Sequence, residues 1–164
     1  VVDYKGRASP ERSSKMDGTS IGFSGTRKGM SFKQKSDFGD WLMENHEMVT
    51  EFHHGMCIGA DTEAHEIVRL GFANIKIHGH PGFPEDHATR GVKDADVDIL
   101  HPILAPLTRN LEIVHGTRLM FFAPTFPEKQ RSGTWATLRF CRRKKLPIVV
   151  LARGTFKNPE GAKA

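Results

Sequence analysis

Cysteine is scarce in this sequence and long apolar runs are missing, and each shortage excludes something. The two cysteines, Cys57 and Cys141, lie far apart and form neither a disulfide framework nor a CxxC metal site. No apolar stretch approaches the length that spans a bilayer, so no membrane partner is expected. The first twenty residues, VVDYKGRASPERSSKMDGTS, carry no apolar core of the signal-peptide kind, and a cytoplasmic location is expected. Three motifs are also missing: the GxGxxG dinucleotide fingerprint, the GKS or GKT of a P-loop, and a metal-binding HExxH. There is no internal repeat and no low-complexity tract.

What remains describes one soluble domain. The chain has 164 residues, of which 38% are hydrophobic and 26% charged, within the range of ordinary globular proteins. A net charge of +5 favours anionic partners such as nucleotides or nucleic acid. The densest basic cluster, RFCRRKK (139–145), equally suits a solvated helix end, where cations complement the helix dipole.

Short apolar runs alternate with stretches of helical period. SIGFS (20–24) reads as a first strand. Ser31 and Gln34 form a capping box before a helix that carries Phe38, Trp41 and Leu42 and ends near Asn45. MVTEFHH (48–54) reads as a second strand. Asp61 then opens a helix with Ala64, Ile67 and Val68 on one face, closed near Gly71. ANIKIHG (73–79) is a third strand. Residues 80–104 show no period, and a segment of that length inside a small domain is usually functional. Leu107, Leu111 and Val114 mark a helix closed by Gly116. RLMFFA (118–123) is a fourth strand, Ser132 caps a helix with Trp135, Leu138 and Cys141, and Pro147 opens a fifth strand. The domain thus spans 20–153, between loose tails at 1–19 and 154–164. Alternation of this kind implies a parallel sheet covered on both faces, with ligands bound beyond the carboxyl ends of the strands.

Several loops at those ends suit a phosphorylated ligand. Gly25, Thr26 and Arg27 offer close backbone approach, a hydroxyl and a charged fork. Gly55 and Gly59 are small residues at a strand-to-helix junction. Asp61 serves there either as a helix cap or as acceptor for a ribose hydroxyl, and His65 follows one turn later, where a helix histidine can also simply bond locally. Arg109 and Asn110 stand in the first turns of a helix, where Arg109 either clamps a phosphate or is an exposed helix arginine. Arg131, Ser132, Gly133 and Thr134 stand at another helix start, whose free N–H groups favour an anion. Trp135 shares a face with Leu138 and reads as core. Five histidines, His53, His54, His78, His80 and His87, lie at strand ends or in loops. Their spacing matches no metal motif, so no metal or cofactor is expected, and His80 is placed with the ligand-binding residues.

The order of SGTRKGM, FHHGMCIGADTEAH, KIHGHPG, LTRNLEIVHGTRLMFFAP and RSGTWATLRFCRRKKLPIVVL resembles that of the SLOG superfamily over residues 20–153. This Rossmann-like group includes the Lonely Guy phosphoribohydrolases, the DNA-processing protein DprA and sensors of nucleotide-derived signals. The chain most resembles small bacterial and phage members with an RSGTWAT-type motif. The resemblance implies an α/β, three-layer Rossmann-like domain with a mostly parallel five-stranded sheet, a nucleotide-type ligand over the strand ends and pairing into a homo-oligomer. It also implies ligand contacts from Gly25, Thr26, Arg27, Gly59, Asp61, Arg109, Asn110, Gly133 and Thr134. The chain departs from the Lonely Guy pattern PGGxGTxxE: its stretch is QRSGTWAT, and the glutamate position falls on Ala136 or Thr137. Arg109 resembles the upstream arginine of those enzymes. Glycosidic cleavage would then need Glu128 or Glu112 as substitute carboxylate. Three functions follow in order: capture or sensing of a nucleotide, N-glycosidic hydrolysis through Arg109 and Glu128, and DprA-like binding of single-stranded DNA, which the GADTEAH segment brings to mind.

Overall fold

The computed structural model describes residues 18–83 and 89–154. The chain runs β1 (Thr19–Gly25), α1 (Phe32–Asn45), β2 (Val49–His54), α2 (Ala60–Gly71), β3 (Lys76–Gly79), β4 (Ile99–Leu100), α3 (Pro106–His115), β5 (Leu119–Ala123), α4 (Gly133–Lys144) and β6 (Ile148–Val150). The strands form one sheet in the order β4-β3-β2-β1-β5-β6, and every pairing is parallel. The sheet therefore has six strands rather than the expected five. The extra strand, β4, is two residues long with both side chains exposed, too short to show a period-2 signal. The tails expected at 1–19 and 154–164 fall almost wholly outside the described residues, as does His87.

The strand alternation sorts the core into two layers. Ile21, Phe23, Phe52, Ile77 and Phe121 face α1 and α2, where they meet Phe38, Leu42, Ala64 and Val68. Four of these phenylalanines pack ring against ring, with centroids 5.1–6.3 Å apart. Met120, Phe122 and Ile148 face the other way, against Ile113, Val114, Trp135, Leu138 and Cys141 of α3 and α4. Both faces are thus buried, as a parallel sheet requires.

Local signals set most of the boundaries. The Ser31–Gln34 capping box is formed in both directions. Ser132 caps α4 by accepting from the Trp135 amide. Arg142, Arg143 and Lys144 stand in the last turn of α4, where cations complement the dipole. Two expectations change. Gly59, not Asp61, is the N-cap of α2, and Asp61 lies inside the first turn. On α3 the buried stripe is Arg109, Asn110, Ile113 and Val114, whereas Leu107 is exposed. The helix turns its polar residues inward because they have partners there.

Chain direction across the sheet reverses at β1. The chain moves outward from β1 to β4, then returns to the far side of β1 for β5 and β6. The loops after β1 and β5 part to opposite faces and leave a crevice above Gly25 and Ala123. The Thr26 amide donates to the Ala123 carbonyl at 3.0 Å and fixes the crevice floor.

Candidate ligand-binding site

A cavity of about 630 Å³ opens over this crevice, within the usual range for small-molecule sites. Gly25, Thr26, Arg27, Asp61, Arg109, Asn110, Arg131, Ser132, Gly133 and Thr134 all line it. A side pocket of about 210 Å³ shares Arg27, Gly55, Cys57 and Arg109 with it. The structure therefore brings together ten of the predicted residues from four segments distant in sequence.

The floor is built from the β1 loop and the start of α2. The Ala60 amide donates to the Thr26 carbonyl at 3.0 Å. Gly59 makes this approach possible. Its φ of +83° lies in the left-handed region, and a Cβ there would stand 2.3 Å from the Arg27 carbonyl oxygen. Gly59 thus acts through the backbone, as a spacer at the cavity floor.

Asp61 is buried at this floor. One oxygen, Oδ2, accepts from the Cys57 amide at 3.3 Å, while Oδ1 is buried with no hydrogen-bond partner among the described residues. Burial pushes the Asp61 carboxyl up to about 6, against the opposing pull of the nearby Arg109 guanidinium and, more weakly, of the Cys57, Gly55 and Gly25 amides. Burial likewise raises the Cys57 thiol, the Asp61 charge adding to the effect, so the thiol is not an activated nucleophile.

Arg109 and Asn110 organise the wall. Arg109 Nη1 donates to the carbonyls of Gly55 at 2.7 Å and His80 at 3.0 Å, and Nε donates to Asn110 Oδ1 at 2.8 Å. Its Nη2 lies 3.7 Å from Cys57 Sγ. Asn110 Nδ2 donates to Thr137 Oγ1, which donates to the Gly133 carbonyl. This chain of bonds ties α3 to the first turn of α4. Arg109 is 6% exposed, which rules out the exposed-arginine reading. Most of its five N–H groups are committed to the protein, so it chiefly positions the loops.

The roof is the start of α4. Gly133 and Thr134 occupy the first two helical positions, where amides have no intrahelical partner. A Cβ on Gly133 would meet nothing closer than 3.9 Å, so space above the helix end is open. No acid stands in this first turn. Arg27, Lys28 and Arg131 line the same cavity, and all three are exposed. Asp61 is the one carboxylate lining it among the described residues.

Some predicted residues lie elsewhere. Glu128 ion-pairs with Arg139 at 2.7 Å and does not line the cavity. Glu112 is exposed on α3. The His80 ring points away from the cavity, into a cluster with Glu51, His53, His78 and His101, and only its carbonyl reaches Arg109. His65 bonds not Asp61 but His54, at 3.0 Å. His54 Nδ1 accepts from the Met56 amide, so its Nε2–H donates to His65. Burial holds His54 well below the usual histidine range, which keeps it neutral. The Met56 backbone, at φ +59°, carries the strain of this sharp turn, a feature no residue-type signal announces.

No helix of the described residues is long and apolar enough to cross a membrane. No protein-family model matches the chain, and no curated protein does. Solved structures do. The molybdenum cofactor binding protein of Rippkaea orientalis superposes with a TM-score of 0.60 at 16% identity, over 83% of this chain and 77% of that one. The Moco carrier protein of Chlamydomonas reinhardtii gives 0.55 at 19% identity, over 82% and 76%. DprA of Streptococcus pneumoniae gives 0.58 at 14% identity, and the match covers 87% of this chain but only 53% of DprA. At such identities the likeness is one of fold, and the chain shares the Rossmann-like fold of the Moco carrier proteins and of DprA.

Proposed function

We propose that the protein binds a nucleotide or nucleotide-derived molecule in the crevice, as a sensor or sequestering protein. The observation that carries this reading is the pairing of unlike groups across one cavity. The open α4 N-terminus with Arg27, Lys28 and Arg131 suits a phosphate. The unpartnered Oδ1 of Asp61 suits a hydroxyl donor such as a ribose 2′- or 3′-OH, because a buried acceptor without a partner costs about 1–3 kcal/mol until it is satisfied. Phosphate and sugar hydroxyls occur together in nucleotides. That two neighbours in fold are named for binding or carrying the molybdenum cofactor supports small-molecule capture on this architecture. Native mass spectrometry of protein purified from a lysate tests it. The expected result is an intact nucleotide-type adduct that denaturation releases. Protein that neither carries such an adduct nor takes one up from added nucleotides contradicts it.

A second reading is N-glycosidic hydrolysis of the bound nucleotide. One observation favours it: a carboxyl near pKa 6 exchanges a proton close to neutral pH. Asp61, rather than Glu128, is then the acid. Chromatography of nucleotides incubated with the protein decides it, since free base must accumulate.

A further inference from the structure

Helices α3 and α4 cover their face of the sheet over β1, β5 and β6. On the same face, β2, β3 and the segment after β4 carry histidines instead. Parallel register sets His53 beside His78. It pairs Gly79 with Leu100, so His80 and His101 follow side by side. The rings of His53 and His78 stack at 4.1 Å, and those of His80 and His101 at 3.9 Å. The two stacks join edge to edge, with His53 Nδ1 2.9 Å from His80 Nε2 and His78 Nδ1 2.9 Å from His101 Nε2. Glu51 stands two residues before His53 on the same face. Its Oε2 lies 3.2 Å from His53 Nε2 and its Oε1 3.6 Å from His78 Nε2.

Proton placement alone leaves one weak point in this cluster, at His78 Nε2. A neutral imidazole has one donor and one acceptor. If His53 and His78 donate from Nδ1 to His80 and His101, both Nε2 lone pairs face the Glu51 carboxylate, acceptor against acceptor. If the protons sit on Nε2 instead, His53 is satisfied by Glu51, but buried His78 Nε2 stands 3.6 Å from Glu51 Oε1, in ion-pair range yet longer than a hydrogen bond, and has no hydrogen-bond partner among the described residues. A cation between the three groups relieves this point in either arrangement. It takes the two lone pairs and the carboxylate, and it fixes both Nδ1–H groups as donors to the outer histidines.

We propose that Glu51, His53 and His78 bind a divalent transition-metal ion of the zinc class, with His80 and His101 orienting the two histidine ligands. Two imidazoles and one carboxylate suit such ions, and a ligating histidine commonly donates its other N–H to a partner that sets its tautomer. The ligand atoms all lie within 4.8 Å of one another. Metal–nitrogen bonds of about 2.0–2.1 Å in tetrahedral geometry bring ligand atoms to about 3.4 Å. The two rings are 17° from parallel, so binding tilts them toward a shared point. Glu51 is 41% exposed, which leaves a solvent-facing position on the ion. The ion also clamps the short strand β3 to β2, and the His78–His101 contact ties the segment after β4 to it. Because the His80 carbonyl accepts from Arg109, the clamp reaches the crevice wall.

The full chain, stripped with chelator, is titrated with Co²⁺. One equivalent is expected to bind with the visible bands of nitrogen and oxygen coordination and without a thiolate charge-transfer band. Zn²⁺ is expected to displace it and to raise the melting temperature, whereas Mg²⁺ does neither. Glu51→Gln and His78→Asn each weaken Co²⁺ binding by about tenfold or more, and His101→Ala, which removes an orienting partner, by about tenfold. Glu51 is half-exposed, so Glu51→Gln keeps the fold, checked by circular dichroism. Absence of stoichiometric Co²⁺ binding to the unmodified chain overturns the proposal. So does binding that Glu51→Gln and His78→Asn leave unchanged.

Discussion

Two helix N-termini line the same cavity, and they are built in opposite ways. Helix α2 begins at a glycine with no side-chain cap and carries a buried carboxylate, Asp61, in its first turn. Helix α4 begins at a serine cap, has no acid in its first turn and lies beside exposed arginines and a lysine. Both ends present the positive pole of a helix dipole. At α2 the chain supplies its own negative charge, so what the site lacks is a donor. At α4 no acid in the first turn offsets the pole, so under the proposed reading this end takes the anion. A helix start alone therefore does not define a phosphate site; the neighbouring charge decides.

The largest effect is expected from treating the two glycines alike. Gly59→Ala forces a side chain onto a positive-φ backbone (φ +83°, ψ −127°) that L-residues rarely adopt, at about 1–3 kcal/mol, and against the Thr26–Arg27 backbone, at about 1–3 kcal/mol more. Gly133→Ala enters open space and changes stability by less than about 1 kcal/mol. Denaturant unfolding of both variants checks the contrast, and equal losses would erase it.

Asp61→Asn comes next. The folded pKa of about 6 lies above the ordinary value of 3.8, so the native state holds this proton more tightly than the unfolded chain. The resulting stabilisation is complete below about pH 4 and is lost as pH rises through about 6. Relative to Asp61→Asn, the unmodified protein should therefore lose on the order of 2–3 kcal/mol between about pH 4 and about pH 7. Unfolding curves across that range test it, and a constant difference between the two proteins would contradict the buried, proton-holding state.

Smaller effects sharpen the α4 side. Ser132→Ala removes the cap on Trp135 and should lower stability by about 1 kcal/mol, seen as a shifted denaturation midpoint. Arg131→Ala should weaken ligand binding by only about two- to fivefold, because its side chain is exposed and its field is screened. The loss should shrink further as salt is added, which a titration at two ionic strengths reads out.

Much of this was legible in the sequence. The capping box at Ser31, the cap at Ser132 and the apolar periods of α1, α2 and α4 are local signals, and local structure obeyed them. The crevice residues were legible because each follows a strand, and strand ends converge in a parallel sheet. Arg109 and Asn110 were harder. Their burial depends on carbonyls of Gly55 and His80 and on Thr137, all far away in sequence. The α3 stripe was misassigned for the same reason, since Leu107 has the right spacing but no neighbour to cover it. β4 was hidden by its length. The histidine cluster escaped because its members come from neighbouring parallel strands. Only register, and not spacing along the chain, sets His53 beside His78 and His80 beside His101.

The measurement that tests the crevice most directly is calorimetric titration with ribonucleoside mono-, di- and cyclic phosphates and ADP-ribose, alongside inorganic phosphate, on the unmodified protein and on Asp61→Asn. The predicted result is that at least one nucleotide binds more tightly than phosphate alone and loses about tenfold or more in affinity in the variant, the scale of a hydrogen bond to a charged group. If no nucleotide binds, or if Asp61→Asn binds it equally well, the pairing of an anion site with a hydroxyl acceptor is wrong.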